Sequence, residues 1–500
     1  MNNKMQLLVR PTQVGKTFTV LNHIVDEFVE DENIVNILFV DNSLLQSTQL
    51  SVRMENFEGF EENSTIILSS KSKVKSGNEI PVHVKTKGIR NIITCSNGTR
   101  AKNIDEFLRN WEVFDPLKEY KFNIYLDEAD KFLTLFDPYL KNWEALEHVR
   151  TIMMVTATPY RILQEFGEIK IMKMEQTYDP NVYHRFSDSV FVEYVMEKNQ
   201  TRNYYELCLN MALENEHINA GNVFYFPGSV KKNTHYSIKN MCINYGFACI
   251  TINSDGCRLY NDPDDNKKFE NIKTAGKEIA TVLADLYEEK HLNQKPLSIT
   301  GMTCISRGVS LSSPRMILTH SILGPTFSNI NNLYQSGGRL TNNMKLVDGF
   351  QKPVIYCTKR VRSSISLSES RACDLASKAH RFDLDTVTVD DYKLANKKWI
   401  IKEAQFETLE GVNRFLDRIV CERARRGLNI HDIDGFYVSR VLNSIIKIKD
   451  LRGHHRLLRE EFETYPLTRG FRTTDVYMVY PVYETELDFN CTFVVRFKQL

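Results

Sequence analysis

The sequence contains no run approaching the ~18–20 consecutive apolar residues that a membrane helix needs, so no membrane association is expected. It also lacks any Cys-x-x-Cys pair. The ten cysteines (95, 208, 242, 249, 257, 304, 357, 373, 421 and 491) scatter through apolar runs, which suits reduced, buried thiols in an intracellular protein and not structural zinc. Charge of one sign is not in excess, since 64 basic and 63 acidic residues leave +1. No global signature therefore announces a polyanion partner, although a basic groove can sit on a neutral protein. Neither an internal repeat nor a low-complexity tract is visible. With 42% apolar, 25% charged and 11% aromatic residues, disorder, collagen-like repeats and a disulfide miniprotein are excluded. The opening MNNKMQLLVRPTQ has too short an apolar run for a signal peptide and no small-residue cleavage site, so a cytoplasmic or nuclear location is expected. Five hundred residues exceed one compact core and suit two or three domains.

What is present is a series of short apolar strands separated by helical stretches, the pattern of a parallel α/β sheet. The first series comprises Gln6–Val9, Val35–Val40, Thr65–Leu68, Asn91–Thr94, Phe122–Leu126 and Thr151–Val155. A second comprises Asn222–Phe226, Ala248–Ile252, Leu297–Thr300, Met316–Thr319 and Val354–Cys357. Most runs are continuous and not alternating, as in strands covered on both faces. Polar and turn-forming residues cluster near 176–200 and divide the two series. The expected architecture is one lobe over 1–180, a second over 190–375, and a small α+β module over 376–500.

Strand Gln6–Val9 runs directly into Arg10-Pro-Thr-Gln-Val-Gly-Lys-Thr17 and then the helix pattern of Phe18–Phe28. A loop of this kind presents backbone N–H groups and a helix dipole to phosphates, with Thr12, Gln13, Val14, Gly15, Lys16 and Thr17 as the cradle. Lys16 would reach the terminal phosphates and Thr17 would ligate Mg²⁺. The glycine usual five residues before Gly15 is here Arg10. A second signal is Phe-Asn-Ile-Tyr-Leu ending in Asp127-Glu128-Ala129-Asp130, acids delivered where a buried strand emerges. In a parallel sheet, ligands bind at that carboxyl edge. Asp127 is thus placed to reach Mg²⁺ and Glu128 to orient and deprotonate an attacking water. A third strand end carries Thr156-Ala157-Thr158-Pro159.

With these three motifs the sequence resembles the superfamily 2 helicases and translocases, and further motifs stand in that family's order. Ile37–Asp41 with Ser43 and Gln49 is similar to motif Ia, and Thr94–Thr99 to a divergent motif Ib or Ic. Val223–Ser229 resembles motif IV, Thr300–Ser310 motif V, and Gln335-Ser-Gly-Gly-Arg339 motif VI. The wording further resembles helicase-like proteins of large DNA viruses and phages. The resemblance covers about residues 5–360. It implies two tandem RecA-like lobes with ATP and Mg²⁺ between them, and DNA or RNA as the partner. In that frame Lys16, Asp127, Glu128, Gln335 and Arg339 are catalytic, and Gly308 and Ser310 join the nucleotide site. Thr156 and Thr158 couple hydrolysis to lobe movement. Ser43, Gln49, Thr99, Gly228, Ser229 and Thr300 match positions that grip a sugar–phosphate backbone, contacts that position a strand without reading its sequence.

Three departures from the family pattern bear on mechanism. Its last motif VI arginine is Asn342, leaving Arg339 as the candidate finger. Motif V ends in Ser310 where many relatives have Asp. Motif I begins nine residues after Met1, without the upstream glutamine motif by which DEAD-box proteins read adenine. Two functional readings follow: a nucleic-acid-dependent ATPase that acts as a helicase or translocase, or a degenerate, non-catalytic helicase-fold scaffold that binds nucleic acid or protein. Two basic features stay open between a solvated surface and a phosphate track. One is the loop with Lys71, Lys73, Lys75, Lys85 and Lys87. The other is a helix expected over Thr408–Arg426, with Thr408 as N-cap and Arg414, Arg418 and Arg425 in a stripe.

Overall fold

The computed structural model describes residues 4–42, 44–69, 74, 76–195, 204–229, 231–262, 265, 267–274, 277–301, 310–324, 330–397, 399–424, 457–464, 467, 477–485 and 491–499. Ser43, Lys71, Lys73, Lys75, Gly308 and Arg425 from the sequence reading lie outside the described residues. The chain divides into two compact units, Met1–Val389 and Asp390–Leu500.

The first unit holds two eight-stranded sheets. Strands β1 (Met5–Val9), β2 (Ile34–Val40), β3 (Thr65–Leu68), β4 (Asn91–Cys95), β5 (Lys121–Asp127), β6 (Val149–Thr156) and β7 (Glu168–Ile171) belong to the first. The second contains β8 (Val190–Glu193), β9 (Val223–Pro227), β10 (Ala248–Asn253), β11 (Gly256–Tyr260), β12 (Glu270–Ile272), β13 (Leu297–Gly301), β14 (His320–Ile322) and β15 (Val354–Cys357). A last strand, β16 (Thr386–Thr388), returns to the first sheet. The orders are β16-β7-β1-β6-β5-β2-β4-β3 and β12-β11-β10-β13-β9-β14-β15-β8. All pairings in the first sheet are parallel except β16 with β7, and in the second all except β10 with β11 and β11 with β12. These are two RecA-like lobes.

Central strands are buried along their whole length, as β2 and β4 show, which explains their unbroken apolar runs. On one face of the first sheet, Val20, Leu21 and Ile24 from helix Lys16–Glu30 pack with Leu8, Leu38, Ile93, Met153 and Val155. Each such side chain contributes about 1.5–3 kcal/mol when withdrawn from water. That packing fixes the helix over the sheet and sets its N-terminus at the carboxyl edge.

Two local expectations are corrected. Met316–Thr319 does not form the expected strand. Met316 instead pairs with Ser313 in a tight turn and the Ser312 hydroxyl accepts from the Leu318 amide, so β14 starts at His320. Lys85 and Lys87 sit in helix Ile80–Lys87 and not in a loop. A reciprocal cap between Ser76 and Glu79, with Pro81 in the first turn, starts that segment. Lys85 is spent within the lobe on Asp115, 2.9 Å away, and on the ring of Tyr120.

In the second unit β17 (Ile400–Phe406), β18 (Tyr477–Val482) and β19 (Thr492–Gln499) form an antiparallel sheet ordered β17-β19-β18. The expected helix runs over Leu409–Ala424, and the Thr408 hydroxyl accepts from the Gly411 amide at 3.2 Å. Val412 and Leu416 bury against Tyr477, Val479 and Val495. Arg418 lies over the ring of Phe415, and Arg414 faces Glu410 at 3.7 Å. Among the described residues no helix is long and apolar enough to cross a membrane.

Candidate functional site

Strand register brings the first three motifs together. Val9 pairs with Thr156, and Asp127 pairs with Val155. The phosphate-type loop leaving β1, the acids leaving β5 and the threonines leaving β6 therefore emerge side by side from adjacent strands. Two residues hold the loop in left-handed backbone, Gln13 at φ 58° and Gly15 at φ 95°. Gly15 does so without strain, whereas a side chain costs on the order of 1–2 kcal/mol there. Glu128, at φ 51°, is a second such residue, and strain of this kind persists where surrounding structure imposes it.

The second lobe completes a cleft of about 570 Å³. From the first lobe it is lined by Gln13, Gly15, Lys16, Thr17, Asp127 and Glu128, and from the second by Ser310, Gln335, Arg339 and Asn343. Gln335 lies on helix Ile330–Gly337 and Arg339 on the tight turn that follows it. The Gln335 amide donates to Glu128 Oε2 at 3.4 Å, and the Ser310 hydroxyl donates to Gln13 Oε1 at 2.7 Å. Motifs I, II, V and VI thus meet across one interface. The fold is that of two tandem RecA-like lobes facing each other across a cleft.

The electrostatics of this cleft centre on Asp127. Withdrawal from water and the neighbouring Glu128 carboxylate push its pKa up to about 7, against the opposing pull of Lys16 and a hydrogen bond from the Glu128 amide. Two carboxylates confined beside each other and a lysine form a setting that a divalent cation would relieve. Among the described residues no group of three or more His, Cys, Asp or Glu is placed to hold a metal by itself. Asp127 and Thr17, which line the same cavity, offer oxygen donors that would suit Mg²⁺, an ion that usually completes its ligand set with phosphate and water.

Behind the acids lies a bridge that sequence reasoning missed. Asp130 accepts one hydroxyl on each oxygen, from Thr156 and from Thr158, both at 2.7 Å, and the Thr158 amide donates to the Thr156 hydroxyl at 2.9 Å. All three residues are buried. Motifs II and III are thereby one hydrogen-bonded body. The signal was available in the fourth letter of Asp-Glu-Ala-Asp, one helical turn past the strand end.

Several loop residues are held by the other lobe and by the chain that connects the two. The Thr12 carbonyl accepts from the Tyr183 hydroxyl at 2.7 Å and from the Thr341 hydroxyl at 3.1 Å, and its amide faces the Tyr334 hydroxyl at 3.4 Å. Val14 is buried, and its carbonyl accepts from Asn343 at 3.4 Å. Arg10 is a brace: its guanidinium donates twice to the Thr177 carbonyl, at 2.9 and 2.6 Å, and once to the Thr19 hydroxyl. Asn342 is turned away from the cleft. It pairs with His184 through the backbone, and its side-chain oxygen accepts from the Met344 amide at 3.1 Å. It is buried, so an arginine there would be desolvated.

The remaining positions do not converge. Thr99 is exposed at the start of helix Gly98–Arg109 and lines a second cavity of about 530 Å³ with Asn42, Ser69, Asn97 and Arg100. Ser229 and Gly228 follow β9, where the Ser229 amide donates to the Thr234 hydroxyl at 2.9 Å. Gln49 is buried beneath the first cleft, beside Thr17 and Asp127 and away from Thr99. Thr300 is wholly buried within β13, because an inner strand flanked by β10 and β9 exposes neither face.

No family profile and no curated protein matches the sequence. Among solved structures, the DUF1998 helicase MrfA bound to DNA is similar with a TM-score of 0.45 at 13% identity, over 91% of this chain and 54% of that one. A DEAD-box helicase bound to single-stranded RNA and UDP-BeF gives 0.43 at 13%, over 84% and 78%. The Mycobacterium smegmatis helicase Lhr bound to single-stranded DNA and AMP-PNP gives 0.38 at 11%, over 77% and 47%. The chain spans about half the length of MrfA. The attribution to large DNA viruses or phages finds no support among these structures.

Proposed function

We propose that this chain is a nucleic-acid-dependent ATPase that acts as a helicase or translocase on DNA or RNA. The observation that carries the reading is the single cleft shared by Lys16, Thr17, Asp127 and Glu128 of one lobe with Gln335 and Arg339 of the other. Lys16 and the loop amides bind the phosphates, Thr17 and Asp127 hold the cation, and Glu128 takes the proton of the attacking water. Gln335, already 3.4 Å from Glu128, orients that water. Arg339 supplies positive charge from the opposite lobe as the γ-phosphate departs. When bound, Mg²⁺ would supply positive charge against the phosphates. The Asp130 bridge carries the loss of the γ-phosphate from motif II to motif III, and the grip on Thr12 carries it to the second lobe. Closing and reopening would then follow differential affinity for the nucleotide states.

Phosphate release with single- and double-stranded DNA and RNA tests this reading. The parent should hydrolyse ATP, faster with at least one polynucleotide. Lys16→Ala should lose nucleotide binding, and Glu128→Gln should bind without turnover. Arg339→Ala should lose on the order of 10³–10⁵ in rate, the usual worth of such a finger. Binding of nucleic acid by the parent without any turnover would leave the non-catalytic scaffold instead.

A further inference from the structure

The cleft does not end at the phosphate loop. It continues over the first turn of helix Lys16–Glu30 and the end of helix Leu44–Glu55, where Phe18, Val52, Arg53, Asn56 and Phe57 form its wall. Phe18 is 60% exposed, unusual for a large apolar ring on the wall of a cleft. Its position is nonetheless fixed, because Phe57 packs edge-on against it with centroids 5.3 Å apart at 60°. Phe57 in turn meets Phe60 at 5.9 Å. One flank of the Phe18 ring is thus supported, and much of the remainder is left to whatever enters.

The polar group beside it has a defined sense. The Asn56 amide nitrogen donates to the Val52 carbonyl at 2.7 Å. A carbonyl demands a donor, so this contact fixes the amide orientation and makes the other end of the Asn56 side chain its acceptor oxygen. On the far side Arg53 pairs with Glu278 of the second lobe, both side chains about a third exposed, so this wall is assembled from both lobes.

We propose that this end of the cleft is the base subsite for a purine nucleoside triphosphate. Phe18 stacks on the base, and the Asn56 amide oxygen accepts from an exocyclic amino group. With the six position of the base turned to Asn56, adenine presents an amino donor there and guanine a carbonyl oxygen, its own amino group lying at the two position, so adenine is preferred. The inference rests on the nucleotide reading above and adds to it which side chains recognise the base.

The test is equilibrium binding to the full chain, without turnover, of three probes: ATP, GTP and inorganic tripolyphosphate. Base stacking on one aromatic ring is worth about 5- to 150-fold in affinity. Phe18→Ala should weaken ATP within that range and leave tripolyphosphate unchanged, while Phe18→Trp should retain ATP affinity. Asn56→Leu should bring the ATP and GTP affinities together. Phe18 is exposed, so these variants should melt like the parent. Parental ATP affinity in folded Phe18→Ala would overturn the base subsite while the phosphate site stands. A parent that binds neither ATP nor tripolyphosphate would remove the nucleotide reading itself, and this inference with it.

Discussion

Asp127→Asn should make the first unit more stable at pH 8 than the parent, even as it abolishes hydrolysis. The sign follows from the cleft. Burial and Glu128 raise the Asp127 pKa from 3.8 to about 7, so between those values the folded chain holds a proton that the unfolded chain has released. Stability on this account is greatest below about pH 4 and is lost as pH rises to 7. At 1.36 kcal/mol per unit, the shift from 3.8 to about 7 sets a ceiling of about 4 kcal/mol on the loss. Asparagine keeps the shape and cannot ionise. Urea-unfolding midpoints of parent and variant, taken every half unit from pH 4 to pH 8, should therefore agree near pH 4 and separate progressively above it. Saturating Mg²⁺ with a non-hydrolysable ATP analogue should close much of the gap in the parent, because a cation favours the ionised carboxylate. Curves that stay parallel across the whole range would refute the argument that this acid is destabilised by its surroundings.

Thr156→Val removes one hydrogen bond to a carboxylate and one from an amide, an expected loss of roughly 2–4 kcal/mol. A double-mutant cycle with Asp130→Asn should show a coupling above about 1 kcal/mol, and simple additivity would dissolve the proposed bridge. Gly338→Ala would place a methyl group 2.2 Å from the Thr12 hydroxyl oxygen, and overpacking of this kind costs about 1–3 kcal/mol. ATP affinity should fall in proportion, and Thr12→Gly in the same chain should restore part of it. Equal affinities in the single variant and the parent would mean that the two lobes do not meet there when nucleotide binds.

Most strands covered on both faces were legible in the sequence, because burial makes the whole run apolar, as in Ile34–Val40, whereas β14 lies beyond the expected Met316–Thr319. The antiparallel strands of the first unit, β11, β12 and β16, were not, although the edge strand β3 was. β11 and β12 carry Arg258 and Glu270 at a rim, where period and hydrophobicity say little, and β16 is three residues long. In the site, Lys16, Asp127, Glu128 and the two threonines were readable because each follows a recognisable strand within a residue or two. The grip on Thr12 was not, since Tyr183 and Thr341 lie 171 and 329 positions away and nothing local marks them as partners. Nothing in the sequence around Phe18 and Phe57 separates them from core aromatics. Only the assembled wall shows that one of them is exposed.

The return of β16 to the first sheet has a mechanical consequence. The lobes are joined by two crossings of the chain, one through residues 172–189 and one through helix Lys359–Arg381, which runs from β15 of the second sheet towards β16 of the first. At 1.5 Å per residue that helix is a strut about 35 Å long, and the crossings are stitched together where the Thr177 hydroxyl donates to the Cys373 carbonyl at 2.5 Å. A body held by one flexible tether can slide, twist and separate. One held by a rod fastened alongside a second strand keeps chiefly the freedom to turn about the line they share. The cleft between the lobes would therefore open like a book along a spine, and on the proposed nucleotide reading the width of its mouth would be a single variable for a bound phosphate to set.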